Sequence, residues 1–291
     1  MQVVFHVGLH RTDEDRVLKC LLKNRGDFTE DGAVVPPPGR YRKLIAQTLP
    51  ALANAEPAPD AREILLDAIL DGEKADRLLL SNQNFFCLPR YAASNGVFYH
   101  KAAARVDQLK RLFKDDQIEL FFALRDPASF LPALFEKVPV DDFVELTSGT
   151  DPRDLRWSEM VARLRAAHPD VPLTIWCNED SPLIWSQIIR EMAGIEPGRK
   201  IKGGFDLLGE IMSQEGMQRF RAYLKEHPVM TEIQKRRVMV AFLDKFARED
   251  MIEEELDLPG WTEELIDELT EIYEEDVYAI ARMPGVNFIQ P

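Results

Sequence analysis

Short apolar segments alternate with segments of helical periodicity over the first two thirds of the chain. Apolar runs that predict β-strands lie at 3–8, 33–35, 78–81, 118–124 and 172–176. Between them, apolar residues recur at the three- and four-residue spacing of helices that bury one face. The run 118–124 is apolar at almost every position, which is typical of a central strand covered on both faces. The alternation predicts an α/β fold with a mostly parallel sheet flanked by helices.

The last third of the sequence predicts helices. Residues 205–283 have mostly helical periodicity, and Pro259-Gly260 interrupts them before a final helix. In that helix an apolar stripe lies opposite the acidic side chains and comprises Trp261, Leu265, Leu269, Ile272, Val277 and Ile280. We therefore expect an α/β domain at residues 1–204 and a helical C-terminal extension at 205–291 that packs on it.

The composition is that of a globular protein. Of 291 residues, 45% are hydrophobic and 30% are charged. No apolar run reaches the roughly 18 residues that would suggest a membrane-spanning helix, and the first residues lack the features of a signal peptide. We therefore expect a cytoplasmic protein without membrane insertion. Cys20, Cys87 and Cys177 are an odd number without paired spacing, which argues against a disulfide framework or a zinc site.

Negative charge is concentrated near the C-terminus. The sequence has 36 Lys and Arg against 50 Asp and Glu, a net charge of −14, and residues 249–276 hold 14 of the acids and no base. The rest of the chain is therefore neutral. It shows no basic run, which disfavours nucleic-acid binding. The acidic segment is interpreted as the solvated back of a docked helix, with a surface for a basic protein partner as the alternative.

Residues 5–18 have a strand, a loop and a helix, residues 79–85 end a second strand, and residues 121–127 end a strand in Arg-Asp-Pro. These three segments resemble the P-loop sulfotransferases, in that family's order, with 79–85 as the weaker match. The resemblance implies a three-layer P-loop-like fold and the cofactor 3′-phosphoadenosine 5′-phosphosulfate. It also implies that Gly8, Arg11 and Thr12 would hold the 5′-phosphosulfate and that Arg125 would hold the 3′-phosphate.

The loop departs from the family's pattern where the anion would bind. A phosphate loop works because backbone N–H groups at a helix N-terminus converge on the anion. Asp13 stands where the family has its second glycine, and Glu14 and Asp15 stand where it has two hydroxyl residues. The same residues also predict a helix start, with Thr12 as the N-cap and Asp15 at the capping-box position. A Mg²⁺ or Ca²⁺ site formed by the three acids is disfavoured, because neighbouring helical side chains point about 100° apart.

Two further sites depart from the pattern. The family has a serine eight residues after the arginine of Arg-Asp-Pro, where this chain has Ala133; Ser129, one helical turn earlier, could replace it only in part. Gln83 stands at the strand end where we expect a glutamate base. An amide cannot accept the proton of a hydroxyl acceptor, which leaves His10 as the candidate catalytic base.

These departures favour a sulfotransferase-like protein with a degenerate phosphosulfate-binding loop, either non-catalytic or with a changed ligand. The first alternative is an active sulfotransferase that moves a sulfuryl group to a hydroxyl or amine acceptor, with Arg11, Thr12, Arg125 and Ser129 holding the cofactor and His10 as the base. The second alternative is an interaction module that uses the acidic segment 249–276 or the basic patch 40–43. The expected partner is a small molecule or a protein, and no metal is expected.

Overall fold

A six-stranded parallel sheet forms the centre of the molecule. The computed structural model describes residues 1–252, 258 and 260–291. The strands are β1 (Gln2–His6), β2 (Ala33–Val34), β3 (Arg77–Ser81), β4 (Gln117–Leu124), β5 (Leu173–Cys177) and β6 (Val286–Ile289). Their order across the sheet is β2-β3-β1-β4-β5-β6, and each neighbouring pair is parallel. The α/β class is confirmed.

Helices connect the strands and follow the alternation that the sequence predicts. In the described chain they are α1 (Arg16–Lys23), α2 (Arg25–Glu30), α3 (Arg42–Ala51), α4 (Ala61–Leu70), α5 (Ala102–Leu112), α6 (Pro127–Phe135), α7 (Phe143–Thr147), α8 (Trp157–Ala167), α9 (Ser181–Ala193), α10 (Asp206–Ile211), α11 (Gln214–Glu226), α12 (Glu232–Phe246), α13 (Glu249–Ile252) and α14 (Glu263–Ile280). Helix α6 begins with a side-chain cap, because the Asp126 carboxylate accepts the Ala128 N–H at 2.8 Å and Pro127 takes the first helical position.

Apolar side chains cover both faces of the sheet. Successive residues of β4 point to opposite faces: Phe122 packs in one apolar cluster with Phe5 and Leu80, and Phe121 packs in the other with Val4. The β1 register is fixed from both sides, with His6 opposite Ser81 in β3 and Phe121 in β4. The near-continuous apolar sequence of β4 is explained by this burial on both faces.

The C-terminal region contributes to the sheet as well as packing on it. Helices α10, α11 and α12 enclose a small apolar cluster of their own around Leu208, Phe220 and Met239. Helix α14 contacts α6 and α8, and β6 then pairs with β5 at the edge of the sheet. The sequence predicts helices for this region but not β6, because the exposed Asn287 interrupts its apolar residues and leaves no apolar run. The sheet therefore takes its last strand from the predicted extension.

The acidic segment 249–276 lies partly in α13 and α14. Glu253, Glu254, Glu255, Asp257 and the interrupting Pro259 lie outside the described residues. In α14 the apolar stripe faces the protein, with Leu269 and Ile280 fully buried, while most of the acids are exposed. Asp276 is an exception, since only 5% of it is exposed. The predicted docked helix with an acidic back is confirmed for the described part of the segment.

Candidate functional site

A cleft of about 500 Å³ lies at the carboxyl-terminal edge of the sheet. Its walls come from the loop after β1, the end of β4, the segment after β5, and α6 and α10. The chain leaves β1 towards β2 on one side and leaves β4 towards β5 on the other, so the connections diverge between β1 and β4. Ligands of open α/β sheets bind in such a crevice. The structure thus brings Arg11, Thr12 and Arg125 together in one cleft.

Gly8 begins the loop after β1 in a conformation that favours glycine. Its φ is +65°, and a Cβ at this position would lie 3.3 Å from the Gln83 Cα and 3.6 Å from Asp13 Oδ1. A side chain here would therefore be strained and would also meet the neighbouring strand end. The Asp13 carboxylate lies directly over this glycine, within the loop itself.

The predicted N-cap role of Thr12 is wrong. Helix α1 begins at Arg16, and its N-cap is Asp15, which has a φ of +66° and no side-chain capping bond. The Thr12 hydroxyl instead donates to backbone carbonyl oxygens of the loop. It lies 2.7 Å from that of Gly8 and 2.8 Å from that of Leu9. Asp15 therefore has no capping-box role. A helix does follow the hydroxyl and acidic residues at 12–15. It begins only at Arg16, because the backbone at Glu14 and Asp15 is left-handed.

Asp13, in the loop after β1, accepts hydrogen bonds from backbone N–H groups at the N-terminus of α1. Its Oδ2 accepts the Val17 N–H at 3.0 Å, and its carbonyl oxygen accepts the Arg16 N–H at 2.8 Å. The first N–H groups of a helix have no partner inside the helix, so a carboxylate in this position acts as a built-in anion. A side chain of the protein thus takes one of the donors that a phosphate loop offers to its ligand.

The other charges of the loop are engaged in ion pairs. Arg11 contacts Glu14 closely and lies 3.7 Å from Glu136, and Arg16 Nε donates to Glu210 at 2.9 Å. Three arginines and four carboxylates line the cleft among the described residues: Arg11, Arg16, Arg125, Asp13, Glu14, Glu136 and Glu210. The acids therefore exceed the bases by one. Such a lining does not attract a polyanion.

Asp15 points out of the cleft to a separate partner. The Arg42 guanidinium donates to both Asp15 oxygens, with Nη1 at 2.9 Å from Oδ2, and this hydrogen bonding lowers the pKa of the carboxyl. Arg42 Nε also donates to the Ser81 carbonyl oxygen at 2.9 Å. The basic patch at residues 40–43 is therefore partly internal. Arg42 links the β1 loop to the end of β3.

Arg125 lies against the β1 loop. It is buried, with its Nη1 2.5 Å from the Arg11 carbonyl oxygen and its Nε donating to Ser129 Oγ at 2.9 Å. The Trp157 indole N–H holds the Arg125 carbonyl oxygen at 2.9 Å. The structure thus brings Arg125, Ser129 and Arg11 together. Ala133 also lines the cleft and offers no donor there.

His10 is held in a buried hydrogen-bond network. The Tyr99 hydroxyl lies 2.9 Å from both the His10 backbone nitrogen and Nδ1, and Asn84 Oδ1 lies 3.1 Å from Nε2. The hydroxyl accepts the backbone N–H and donates to Nδ1, which leaves Nε2–H to donate to Asn84. Burial lowers the pKa of the imidazole to about 4, although the Asn84 contact acts in the opposite direction. Both ring nitrogens are occupied, which disfavours the predicted role as a base.

Sequence reasoning missed the part of the cleft at the end of β5. It is lined by Trp176 from the end of the strand, Asn178 directly after it, and Ser181 and Trp185 from α9. Ser181 Oγ accepts the Trp176 indole N–H at 3.2 Å, which fixes the indole at the end of the strand. The signal was present in the sequence, because residues directly after a parallel strand lie at the ligand-binding edge of the sheet.

Comparison with known proteins assigns the chain to no family, because no protein-family model and no curated protein matches it. Within the described ranges, no group of three or more His, Cys, Asp or Glu side chains is arranged to hold a metal ion. The described helices include none with the length and apolar content needed to cross a bilayer. The site is therefore interpreted from its own geometry.

Proposed function

We propose that this chain is a sulfotransferase-like protein of P-loop type whose phosphosulfate-binding loop is degenerate. On this proposal it transfers no sulfuryl group, and its cleft binds a neutral or zwitterionic small molecule instead of 3′-phosphoadenosine 5′-phosphosulfate. The observation that carries the proposal is the Asp13 carboxylate, which lies over Gly8 and accepts the Val17 N–H at 3.0 Å. It occupies the end of α1 where a bound phosphate would be expected.

The size of the electrostatic effect supports this assignment. Two like charges 4 Å apart repel by about 1 kcal/mol in water and by about 4 kcal/mol at an effective dielectric constant of 20. Each 1.4 kcal/mol changes a Kd about tenfold. Asp13 and Glu14 both line the cleft, and Arg11, which could offset one of them, is already paired with Glu14. The loop therefore disfavours a phosphosulfate by a large factor.

The alternative is an active sulfotransferase, and one observation favours it. Arg11, Thr12 and Arg125 line the same cleft, and Arg125 contacts both the loop and Ser129. In such an enzyme these residues would hold the two phosphate groups of the cofactor. His10 would have to break its bond to Tyr99 or Asn84 before it could accept a proton.

Thermal unfolding with adenosine 3′,5′-bisphosphate separates the two functions. A ligand at 100 times its Kd adds about 2.7 kcal/mol to the free energy of unfolding, which for a chain of this size raises Tm by several degrees. We expect no rise at millimolar concentration in the wild-type protein. A rise of several degrees that disappears in Arg125→Ala would support the active enzyme and reject the proposal. Lys74→Ala, an exposed charge outside the cleft, is the matched control.

A further inference from the structure

A second cavity, of about 550 Å³, lies between α9, the segment 198–205, and helices α11 and α12. Its volume is within the range of small-molecule sites. Among the described residues it shares only Pro182 and Trp185 with the cleft at the sheet edge. We call it the basic cavity, because six basic side chains line it: Arg190, Arg199, Lys200, Lys225, Lys235 and Arg236.

The carboxylates of the described residues do not neutralise this charge. Glu232 is the only acid among the described lining residues, and it serves two cations, Arg190 at 2.9 Å and Lys235 at 2.8 Å. Of the remaining bases, Arg199 pairs with Asp31 outside the cavity. Arg236 contacts only neutral groups among the described residues, the Gln187 side chain and the Gln290 carbonyl oxygen.

Two exposed lysines add charge at the rim. Lys200 and Lys225 have no ion-pair or hydrogen-bond partner in the part of the chain that the structure describes. The cavity thus keeps an excess of positive charge in a chain whose net charge is −14. Arg190 is the deepest of these cations, with 7% of its side chain exposed. A buried cation that shares its counter-ion is stabilised by a further anion.

Apolar side chains form the rest of the lining. Leu183, Trp185, Phe205 and Leu224 surround the space, and Met239 is buried beneath it. A small inorganic anion would leave this apolar surface in contact with water, whereas a purely apolar ligand would leave the cations unpaired. Only a ligand with both features matches the lining.

We propose that the basic cavity binds an amphipathic anion: a small molecule with a carboxylate, phosphate or sulfonate group and an apolar body. Arg190, Lys200, Lys225 and Arg236 bind its charged group, and the apolar side chains bind its body. This site is independent of the function proposed for the sheet-edge cleft.

A matched pair of fluorescent probes tests this assignment. 8-Anilinonaphthalene-1-sulfonate has an anionic group on an aromatic body, and N-phenyl-1-naphthylamine has the same body without the charge. We expect saturable binding of the sulfonate to the folded protein, at least about tenfold tighter than binding of the neutral probe, and weakening with added salt. Equal affinity for the two probes would overturn the proposal.

Substitution of the rim lysines locates the binding. The double variant Lys200→Gln/Lys225→Gln removes two charges and should weaken sulfonate binding about tenfold. The control variant Lys74→Gln/Lys114→Gln removes two exposed lysines outside the cavity. It has the same net charge as the first double variant, so it shows how much of the effect comes from the overall charge of the protein. Near-UV circular dichroism confirms that each variant is folded. Equal effects of the two double variants, or no effect of the first, would contradict the assignment.

Displacement identifies the charged group. Decanoate and decyl phosphate, each below its micelle concentration, have the same apolar chain with a carboxylate or a phosphate. Displacement of the sulfonate probe by either supports the site, and the tighter competitor identifies the class of natural ligand. If neither competes, the proposal is wrong.

Discussion

At the scale of single residues, carboxylates of the chain itself bind the N-termini of its helices. Asp13 accepts a backbone N–H of α1, Asp126 accepts one of α6, and Asp276 accepts those of Trp157 and Ser158 in α8. The Asp126 contact can be predicted, since it is local and Pro127 follows. The Asp276 contact cannot, because 119 residues separate it from Trp157. Of these three carboxylates, Asp13 lines the sheet-edge cleft.

Asp276→Ala should lower the free energy of unfolding by about 2–4 kcal/mol, because it removes a helix cap and leaves a buried backbone N–H unpaired. Urea denaturation followed by circular dichroism measures this loss. Glu275→Ala removes an exposed acid from the same helix and should change stability by less than about 0.5 kcal/mol. Similar losses in the two variants would show that Asp276 is not a cap of α8.

His10 should make the protein less stable in mild acid. Its pKa falls from 6.5 to about 4 in the folded state, mainly through burial. Between these values the unfolded chain binds a proton that the folded chain does not, so the free energy of unfolding decreases as pH falls from 6.5 towards 4. The decrease from this residue is about 3 kcal/mol in total. The lowered pKa of buried His6 acts in the same direction.

His10→Gln removes this titration while keeping a donor and an acceptor. We expect urea denaturation at several pH values from 7.5 to 4.5 to show a smaller decrease in stability for His10→Gln than for the wild-type protein. Identical pH profiles for the wild-type and His10→Gln proteins would exclude His10 as the source.

At the scale of elements, the C-terminal strand completes the sheet through a turn that needs glycine. Gly285 precedes β6 with a φ of +78°, and a Cβ there would lie 2.2 Å from Arg165 Nη2. Arg165 cannot move without loss, because its guanidinium donates to the Val171 and Pro169 carbonyl oxygens at 2.8 Å. Gly285 therefore combines a backbone requirement with close packing.

Gly285→Ala should destabilise the protein more than an equivalent change elsewhere. Gly72 has a φ of +84° with open space around its Cβ position, so Gly72→Ala measures the backbone cost alone, about 1–2 kcal/mol. We expect Gly285→Ala to cost at least about 1 kcal/mol more, because Arg165 loses hydrogen bonds. Thermal unfolding of both variants gives the comparison, and equal costs would refute the role of Arg165.

The sequence predicts elements well where the pattern is local. Strands β1–β5 and the helices between them follow from apolar runs and periodicity, and Gly194, with a φ of +68°, ends α9. Two features do not follow. Strand β6 depends on pairing with the distant β5, and the start of α1 depends on left-handed backbone at Glu14 and Asp15. Both depend on tertiary contacts that no local pattern contains.

At the scale of the whole molecule, the fold brings the candidate residues into one cleft, but their charges are already paired with other groups of the protein. The topology of the sheet places the β1 loop and the end of β4 at one cleft, as a ligand site requires. Within that cleft Arg11 and Arg16 are paired with acids, and Asp13 binds the helix end. The positive charge that could receive an anionic ligand is found instead in the basic cavity.

Calorimetric titration with adenosine 3′,5′-bisphosphate tests the central claim most directly, using the wild-type protein and Asp13→Gly/Glu14→Ser. The variant removes both carboxylates from the mouth of the loop and leaves the Asp15–Arg42 pair intact. We predict no saturable binding to the wild-type protein up to about 1 mM and at least tenfold tighter binding to the variant. Micromolar binding to the wild-type protein, or no binding to the folded variant, would contradict the claim that these carboxylates exclude the anion.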